Sequence, residues 1–318
     1  MGSILIATAM FPEAVERLQR AGHEVEVCEG VPLTGTLAEV DALICPLSLP
    51  VQAELLDAAP RLRIVANLGV GVDNIDLKTA SERGILVSNT PDVLTEATAD
   101  LGWALLLAAA RRVVETDGEL RAQGFPGWVF LPPYLGVDVY GKALGVVGFG
   151  RIGQAVARRG QGFGMELFYT SRSRKPDIGG VLRARFVSLD ELLQKSDFVV
   201  LCTPLTPDTQ HLIGARELRL MKRDAILVNI ARGPVVDEAA LVSALRDGTI
   251  RGAGLDVFED EPRVPPGLVG LKNVVLTPHI GSATGATRRR MADLACDAVL
   301  AVFGGERPLN LVTPPASG

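Results

Sequence analysis

From the first residue, short apolar runs rich in β-branched side chains alternate with longer stretches in which apolar residues recur every three or four positions: SILIATA, FPEAVERLQRAG, HEVEVCE, ALICP, AELLDAAP and LRIVANLG. This alternation of strand and helix patterns predicts an α/β fold. The apolar runs are continuous, so the strands are expected to be covered on both faces, as in a parallel sheet. Thr95 to Arg112 (TEATADLGWALLLAAARR) predicts one long helix suited to bridging two domains, with Thr95 at its N-cap and two arginines matching the dipole at its end. Gly124 to Gly141 (GFPGWVFLPPYLGVDVYG) has little periodicity and much Pro, Gly and aromatic content, which predicts an ordered arm or extended loop. A second α/β series begins ALGVVGFGRIGQAVARRG and runs through DFVVLC, AILVNIA, GAGLDV and NVVLTP, enough for roughly five or six parallel strands. A last helix is expected over Ala286 to Phe303, returning to the first domain, with a Pro-rich tail behind it.

At 318 residues the chain is long enough for about two domains of roughly 150 residues each. A hydrophobic content of 47% against 22% charged residues is a globular balance. The net charge is −5, and no basic run exceeds Arg288, Arg289 and Arg290, so neither nucleic acid nor an acidic membrane is an expected partner. The longest apolar run, Leu101 to Ala110, lies between Asp100 and Arg111 and falls far short of the ~20 residues a bilayer requires. The opening MGSILIATAM enters a strand pattern directly and carries no secretory signature, so a cytoplasmic location is expected. Cys28, Cys45, Cys202 and Cys296 have no CxxC spacing, so no metal site and no disulfide framework is expected, and all four read as small buried apolar residues.

Gly148-Phe149-Gly150-Arg151-Ile152-Gly153 follows the apolar run Leu144 to Val147 and opens an amphipathic helix pattern. Without Cβ atoms the turn can be tight and the backbone can approach a pyrophosphate, whose charge meets exposed N–H groups and the helix dipole. A second strand, Met165 to Tyr169, completes the context for a dinucleotide site. In NAD binders an acid normally ends that strand and accepts from the ribose hydroxyls. Here the sequence reads Tyr169-Thr170-Ser171-Arg172-Ser173-Arg174-Lys175, and Arg172 and Arg174 are suited to a 2′-phosphate. NADP(H) is therefore the expected cofactor, with NAD(H) as the alternative.

Of three histidines, His23 sits in a turn signal and His211 follows TPDTQ, and both read as structural. His279, in LTPHIG, directly follows a strand pattern, at the edge where α/β sheets hold ligands. Arg232 in NIARGPVVD and Glu261 in GLDVFEDEP also follow strands. A guanidinium, a carboxylate and an imidazole are the parts needed to reduce a 2-oxo acid: one holds the substrate carboxylate and polarises the carbonyl, another protonates the developing alkoxide, and the third orients the imidazole and favours its charged form.

In the order GFGRIG, TPLTPDTQHLIG, LVNIARGPVVDEAAL, GLDVFEDEP and TPHIGSAT, these motifs resemble those of the D-isomer-specific 2-hydroxyacid dehydrogenases over nearly the whole chain. Within that family NLGVGVDNID, TEATADLGWALLLAAARR, LGVDVYGKALGVVGFGRIGQA and FYTSRSRK look most like the glyoxylate/hydroxypyruvate reductases. The resemblance implies two Rossmann-like or flavodoxin-like α/β domains with parallel sheets and an interdomain cleft: a substrate-binding (catalytic) domain over 1–98 plus 285–318, and a dinucleotide-binding domain over 99–284. It implies His279 as acid/base, Glu261 as its partner and Arg232 as the substrate cation, with backbone N–H groups near Leu68, Gly69, Val70 and Gly71 receiving the substrate carboxylate. Cofactor contacts carried over in the same way are Phe149, Gly150, Arg151 and Ile152 at the pyrophosphate, Ser171, Arg172 and Ser173 near the ribose, and Pro204, Ile230, Ala231, Asp256 and Gly281 around the adenosine and nicotinamide. Asp256 reads equally well as a strand-end turn residue. The family's dimers form through the cofactor domains, which implies a homodimer in which the arm carrying Trp128 reaches the partner.

Two departures refine this picture. The missing ribose acid puts NAD preference in doubt, and the chain stops soon after its last helix, without the regulatory domain of longer 3-phosphoglycerate dehydrogenases. No basic cluster in the first domain awaits a phosphate, which favours a small unphosphorylated substrate. The expected activity is NADPH-dependent reduction of glyoxylate, and of hydroxypyruvate, to the 2-hydroxy acid. Action on D-lactate, 3-phosphoglycerate or phosphite, or a nucleotide-sensing corepressor-like role, stays open at this point.

Overall fold

The structure, a computed structural model, describes residues 1–28 and 37–312. The chain divides into two compact units, Met1–Leu94 with Ala283–Gly318, and Thr95–Ser282. From residue 313 onward the Pro-rich tail lies outside the described residues.

In the first unit the strands β1 (Ser3–Ile6), β2 (Glu24–Val27), β3 (Ala42–Cys45), β4 (Ile64–Asn67) and β5 (Leu86–Ser88) form one sheet in the order β2-β1-β3-β4-β5, every pair parallel. This is the flavodoxin-like order. β3 and β4 are buried throughout, as their unbroken apolar sequences require, whereas β2 alternates Glu and Val and lies exposed at one edge. The helix Gly285–Phe303 contributes Ala292, Ala295, Cys296, Val299 and Val302 to a core shared with Ile4, Ile6, Ala14 and Leu18.

In the second unit β6 (Ala143–Val147), β7 (Glu166–Thr170), β8 (Ala184–Phe186), β9 (Phe198–Leu201), β10 (Ile226–Asn229), β11 (Gly252–Leu255) and β12 (Val274–Leu276) form a sheet in the order β12-β11-β10-β9-β6-β7-β8, again all parallel. The connections leave β6 in both directions, so the crevice at its carboxyl end is a topological switch point, where such sheets bind ligands.

Three local expectations are corrected. The long helix runs Thr95–Arg111, with Thr95 as its first helical residue and not its cap, and Arg112 takes a left-handed φ of 55°. A further helix, Val113–Gln123, follows; its sequence VVETDGELRAQ has no apolar face and no buried residue, so periodicity gave no sign of it. The second sheet has seven strands, because the three-residue edge strand β8 buries only Ala184 and is too short to register as an apolar run. All four thiols are free, but only Cys45 and Cys296 are fully buried.

Candidate active site

The turn after β6 is shaped by what its glycines exclude. Gly148 has φ +92°, and a Cβ there would sit 2.7 Å from the backbone of Cys202 and Thr203, the segment leaving β9. A Cβ on Gly153 would sit 2.1 Å from the Gly148 carbonyl oxygen. Gly150 differs: it precedes the helix Arg151–Gly162, and a Cβ there would meet nothing within 4 Å. Two glycines are thus demanded by the fold, while the third faces open space at a helix N-terminus. That is the shape a pyrophosphate needs, since its oxygens come against backbone N–H groups and the positive end of the dipole. The ring of Phe149 is buried and stacks on Tyr169 with centroids 3.9 Å apart, so only its backbone is available to a ligand. Arg172 and Ser173 are exposed and Ser171 half-buried beyond β7, with Ser171 Oγ donating to the Ser173 carbonyl at 2.7 Å. Among the described residues no ion pair engages Arg172 or Arg174. Ile230 and Ala231 are buried, Gly281 is buried, and Pro204 is exposed.

Of the three strand-end residues, His279 and Glu261 meet directly. Nδ1 of His279 lies 2.8 Å from Oε2 of Glu261, and the side chains keep 31% and 34% of their exposure. The other Glu261 oxygen accepts the Phe258 N–H at 3.0 Å. Burial pushes the Glu261 carboxyl up, but the His279 hydrogen bond and charge, the Phe258 N–H and the Arg232 charge outweigh it and hold the pKa below the ordinary carboxylate value. Arg232 therefore stands within electrostatic reach of the pair; its Nη1 donates to the Ala231 carbonyl at 2.8 Å.

His279 has a left-handed backbone, φ 53°, which is uncommon outside glycine and asparagine. Asp256 at the end of β11 holds that turn: its carbonyl accepts the His279 N–H at 2.8 Å, and its carboxylate accepts Thr277 Oγ1 at 2.7 Å and the N–H groups of Ile280 and Gly281, each at 2.8 Å. Burial raises the Asp256 pKa, against the pull of those donors and the His279 charge. Three donors on one buried carboxylate commit Asp256 to the backbone that carries His279.

Three residues that sequence reasoning missed complete the support. Asn229 ends β10 and is buried; its Nδ2 donates to the Arg232 carbonyl at 2.9 Å and its Oδ1 accepts the Ala231 N–H at 3.0 Å. Gly233 lies backbone to backbone on the Glu261 segment, where a Cβ would fall 1.8 Å from the Phe258 carbonyl carbon. Glu238, buried, accepts the Glu259 N–H at 2.9 Å, and burial followed by the neighbouring Glu259, Asp260 and Glu261 raises its pKa. A polar residue closing an apolar strand was the available signal for Asn229; no local pattern marks the other two.

In the first unit, Leu68 to Gly71 follow β4, with Gly69 buried and its missing Cβ leaving room for Leu47. His23 accepts the Gly2 N–H at 3.2 Å, and His211 pairs with Glu259 through Nε2. Among the described residues no helix is long and apolar enough to cross a membrane, and no group of three or more His, Cys, Asp and Glu could hold a metal ion.

A glycine-built turn at a switch point, in a unit whose strand ends also carry an imidazole–carboxylate pair, puts the chain in the class of nicotinamide-dependent oxidoreductases. The family described as D-isomer specific 2-hydroxyacid dehydrogenase, NAD binding domain, matches residues 103–281. A glyoxylate reductase of Thermococcus kodakarensis is 54% identical over 96% of this chain and 94% of its own length. Among solved structures, a protein of Thermus thermophilus superposes with a TM-score of 0.92 at 47% identity, covering 98% of this chain and 100% of that one. An NADPH-dependent glyoxylate/hydroxypyruvate reductase of Sinorhizobium meliloti, solved with NADP and malonate, gives 0.89 at 37% identity, over 98% and 97% of the two chains. The chain belongs to the D-isomer specific 2-hydroxyacid dehydrogenases and is an NAD(P)-dependent oxidoreductase of that family.

Proposed function

We propose that this enzyme reduces glyoxylate, and hydroxypyruvate, to the 2-hydroxy acid at the expense of NADPH, with His279 as proton donor. The observation that carries the reading is the 2.8 Å contact between His279 and Glu261, with the Arg232 charge acting on the same carboxylate.

The backbone of Phe149, Gly150, Arg151 and Ile152 would hold the pyrophosphate, Ser171, Arg172 and Ser173 the ribose end, and Pro204, Ile230, Ala231, Asp256 and Gly281 the rest of the cofactor. Bound there, the nicotinamide supplies a hydride to the substrate carbonyl carbon. Arg232 grips and polarises the substrate through charge-assisted hydrogen bonds. With Nδ1 of His279 held by Glu261, Nε2 is the nitrogen left to donate the proton as the carbonyl oxygen becomes an alkoxide. In the first unit the N–H groups of Leu68, Gly69, Val70 and Gly71 take the substrate carboxylate. Arg172 and Arg174 favour NADPH through its 2′-phosphate, and the relatives' names support glyoxylate as substrate.

The domain roles follow: 1–98 with 285–318 for substrate, 99–284 for cofactor. The arm carrying Phe125, Trp128 and Phe130, residues 74%, 80% and 79% exposed, supports a homodimer built through the cofactor domain. Four free thiols agree with a reducing, cytoplasmic setting.

A panel of glyoxylate, hydroxypyruvate, pyruvate and 3-phosphohydroxypyruvate, each with NADPH and with NADH, tests the reading by loss of nicotinamide absorbance. Rapid oxidation of NADPH by glyoxylate is expected; cofactor binding without turnover across the panel overturns it.

A further inference from the structure

In the first unit every carbonyl of the loop Gly69 to Gly71 has its own donor. The Gly69 carbonyl accepts the Thr90 N–H at 3.0 Å, that of Val70 accepts Asn89 Nδ2 at 2.8 Å, and that of Gly71 accepts Asn67 Nδ2 at 2.7 Å. The N–H groups of the same three residues donate to no acceptor among the described residues, although Gly69 is buried. A buried N–H without a partner is rare, because leaving it unmade costs more than a hydrogen bond gains. Val70 beside it is exposed and Gly71 half-buried, so the loop keeps its N–H groups clear of protein acceptors while all three of its carbonyls are engaged, which suits an incoming anion.

The two asparagines are themselves fixed. Asn67 ends β4 with no exposure, and its Oδ1 accepts Asn74 Nδ2 at 3.3 Å and the Cys45 thiol at 3.5 Å, which leaves its Nδ2 facing Gly71. Asn74 is anchored in turn by the Leu49 carbonyl at 3.0 Å. Asn89 follows β5; its N–H donates to the Asn310 carbonyl at 3.2 Å and its own carbonyl accepts Asn310 Nδ2 at 2.6 Å.

We propose that Asn67 and Asn89 are positioning residues for recognition of the substrate carboxylate: their amides hold the Val70 and Gly71 carbonyls so that the N–H groups of Gly69, Val70 and Gly71 stay available to the anion. This rests on the reading of the loop as the carboxylate site. The chemistry requires amides. A carboxylate at either position has no hydrogen to offer a carbonyl oxygen and adds a negative charge next to an anion site.

The test uses Asn67→Ala, Asn67→Asp, Asn89→Ala and Asn89→Asp in the full-length enzyme, with oxamate as a non-reducible 2-oxo acid analogue. Each alanine variant is expected to raise KM for glyoxylate and Ki for oxamate together by about 10-fold, the scale of one lost buried hydrogen bond, and each aspartate variant by more. The kcat should stay within about threefold and NADPH affinity unchanged, a split that general loosening of the unit does not produce. Asn89 is half-exposed, so its variants carry the test if those at Asn67 do not fold. Amide hydrogen exchange over residues 68–72 of the unsubstituted enzyme, with and without oxamate, separates the two ways of failing. Protection by oxamate combined with unchanged KM and Ki in the variants overturns the role of the asparagines alone. Absence of protection overturns the carboxylate reading of the loop, and the inference with it. Loss of NADPH affinity in step with KM reduces both residues to general structural support and overturns the inference.

Discussion

His279 and Glu261, eighteen residues apart in sequence, are joined through Nδ1 and Oε2 at 2.8 Å, while Glu261 is fixed at its second oxygen by the Phe258 N–H. The pair is therefore oriented before any substrate arrives. His279→Ala should lower kcat by roughly 10² to 10⁴, the usual worth of a positioned general acid. Glu261→Gln keeps an acceptor for Nδ1–H but removes the charge, and should lower kcat by about 10-fold or more. Steady-state rates at saturating cofactor check both, and near-normal turnover in His279→Ala would refute the assignment.

Two buried or half-buried glutamates predict opposite pH responses. Glu261 has its folded pKa below the ordinary 4.5, so its contribution is complete above that value and disappears as pH falls through the lower folded one. Glu238 has its folded pKa above 4.5, so its contribution is complete at lower pH and is lost as pH rises through the folded value. The Tm advantage of the unsubstituted enzyme over Glu261→Gln should shrink on acidification from about pH 5 to pH 3, whereas relative to Glu238→Gln the enzyme should lose ground as pH rises from about 4. Melting curves across that range decide; parallel behaviour of the two variants contradicts the argument.

Gly150 and Gly153 separate binding from folding. Gly153→Ala drives a methyl group into the Gly148 carbonyl and should cost about 1–3 kcal/mol of stability, seen as a lower Tm. Gly150→Ala meets no protein atom, so Tm should hold while NADPH affinity falls by about 10-fold or more. Cofactor titration by fluorescence, alongside melting, is the check, and equal NADPH affinity in Gly150→Ala would remove the pyrophosphate from that turn.

Arg172→Ala and Arg174→Ala should each raise KM for NADPH by about 10-fold, the scale of a hydrogen bond to a charged group, and leave KM for NADH within about twofold. An equal rise for both cofactors would mean that the arginines do not read the 2′-phosphate.

How far the sequence carried varies with the range of the signal. The α/β series was legible because buried parallel strands such as ALIC, ILVN and FVVL are unbroken apolar runs, and GFGRIG was legible because a strand and a helix bracket it. His279, Arg232 and Glu261 could each be located at a strand end. The helix Val113–Gln123 and the edge strand Ala184–Phe186 were not legible, since neither presents an apolar face long enough to set a period. Nor were the residues that hold the site. Asn67, Asn229 and Glu238 act through one or two hydrogen bonds to backbone groups that the chain order keeps at a distance or gives no reason to single out.

Gly233 sits directly after Arg232 and rests, with no space for a side chain, on the peptide between Phe258 and Glu259. The ribbon bearing the guanidinium and the ribbon bearing the carboxylate are in effect one solid body, fastened again by Glu238 a turn further on. The spacing of the two charges is therefore tied to the contact between these two backbone segments. Bulk introduced at position 233 would meet backbone and not a movable side chain, and would push the two ribbons apart.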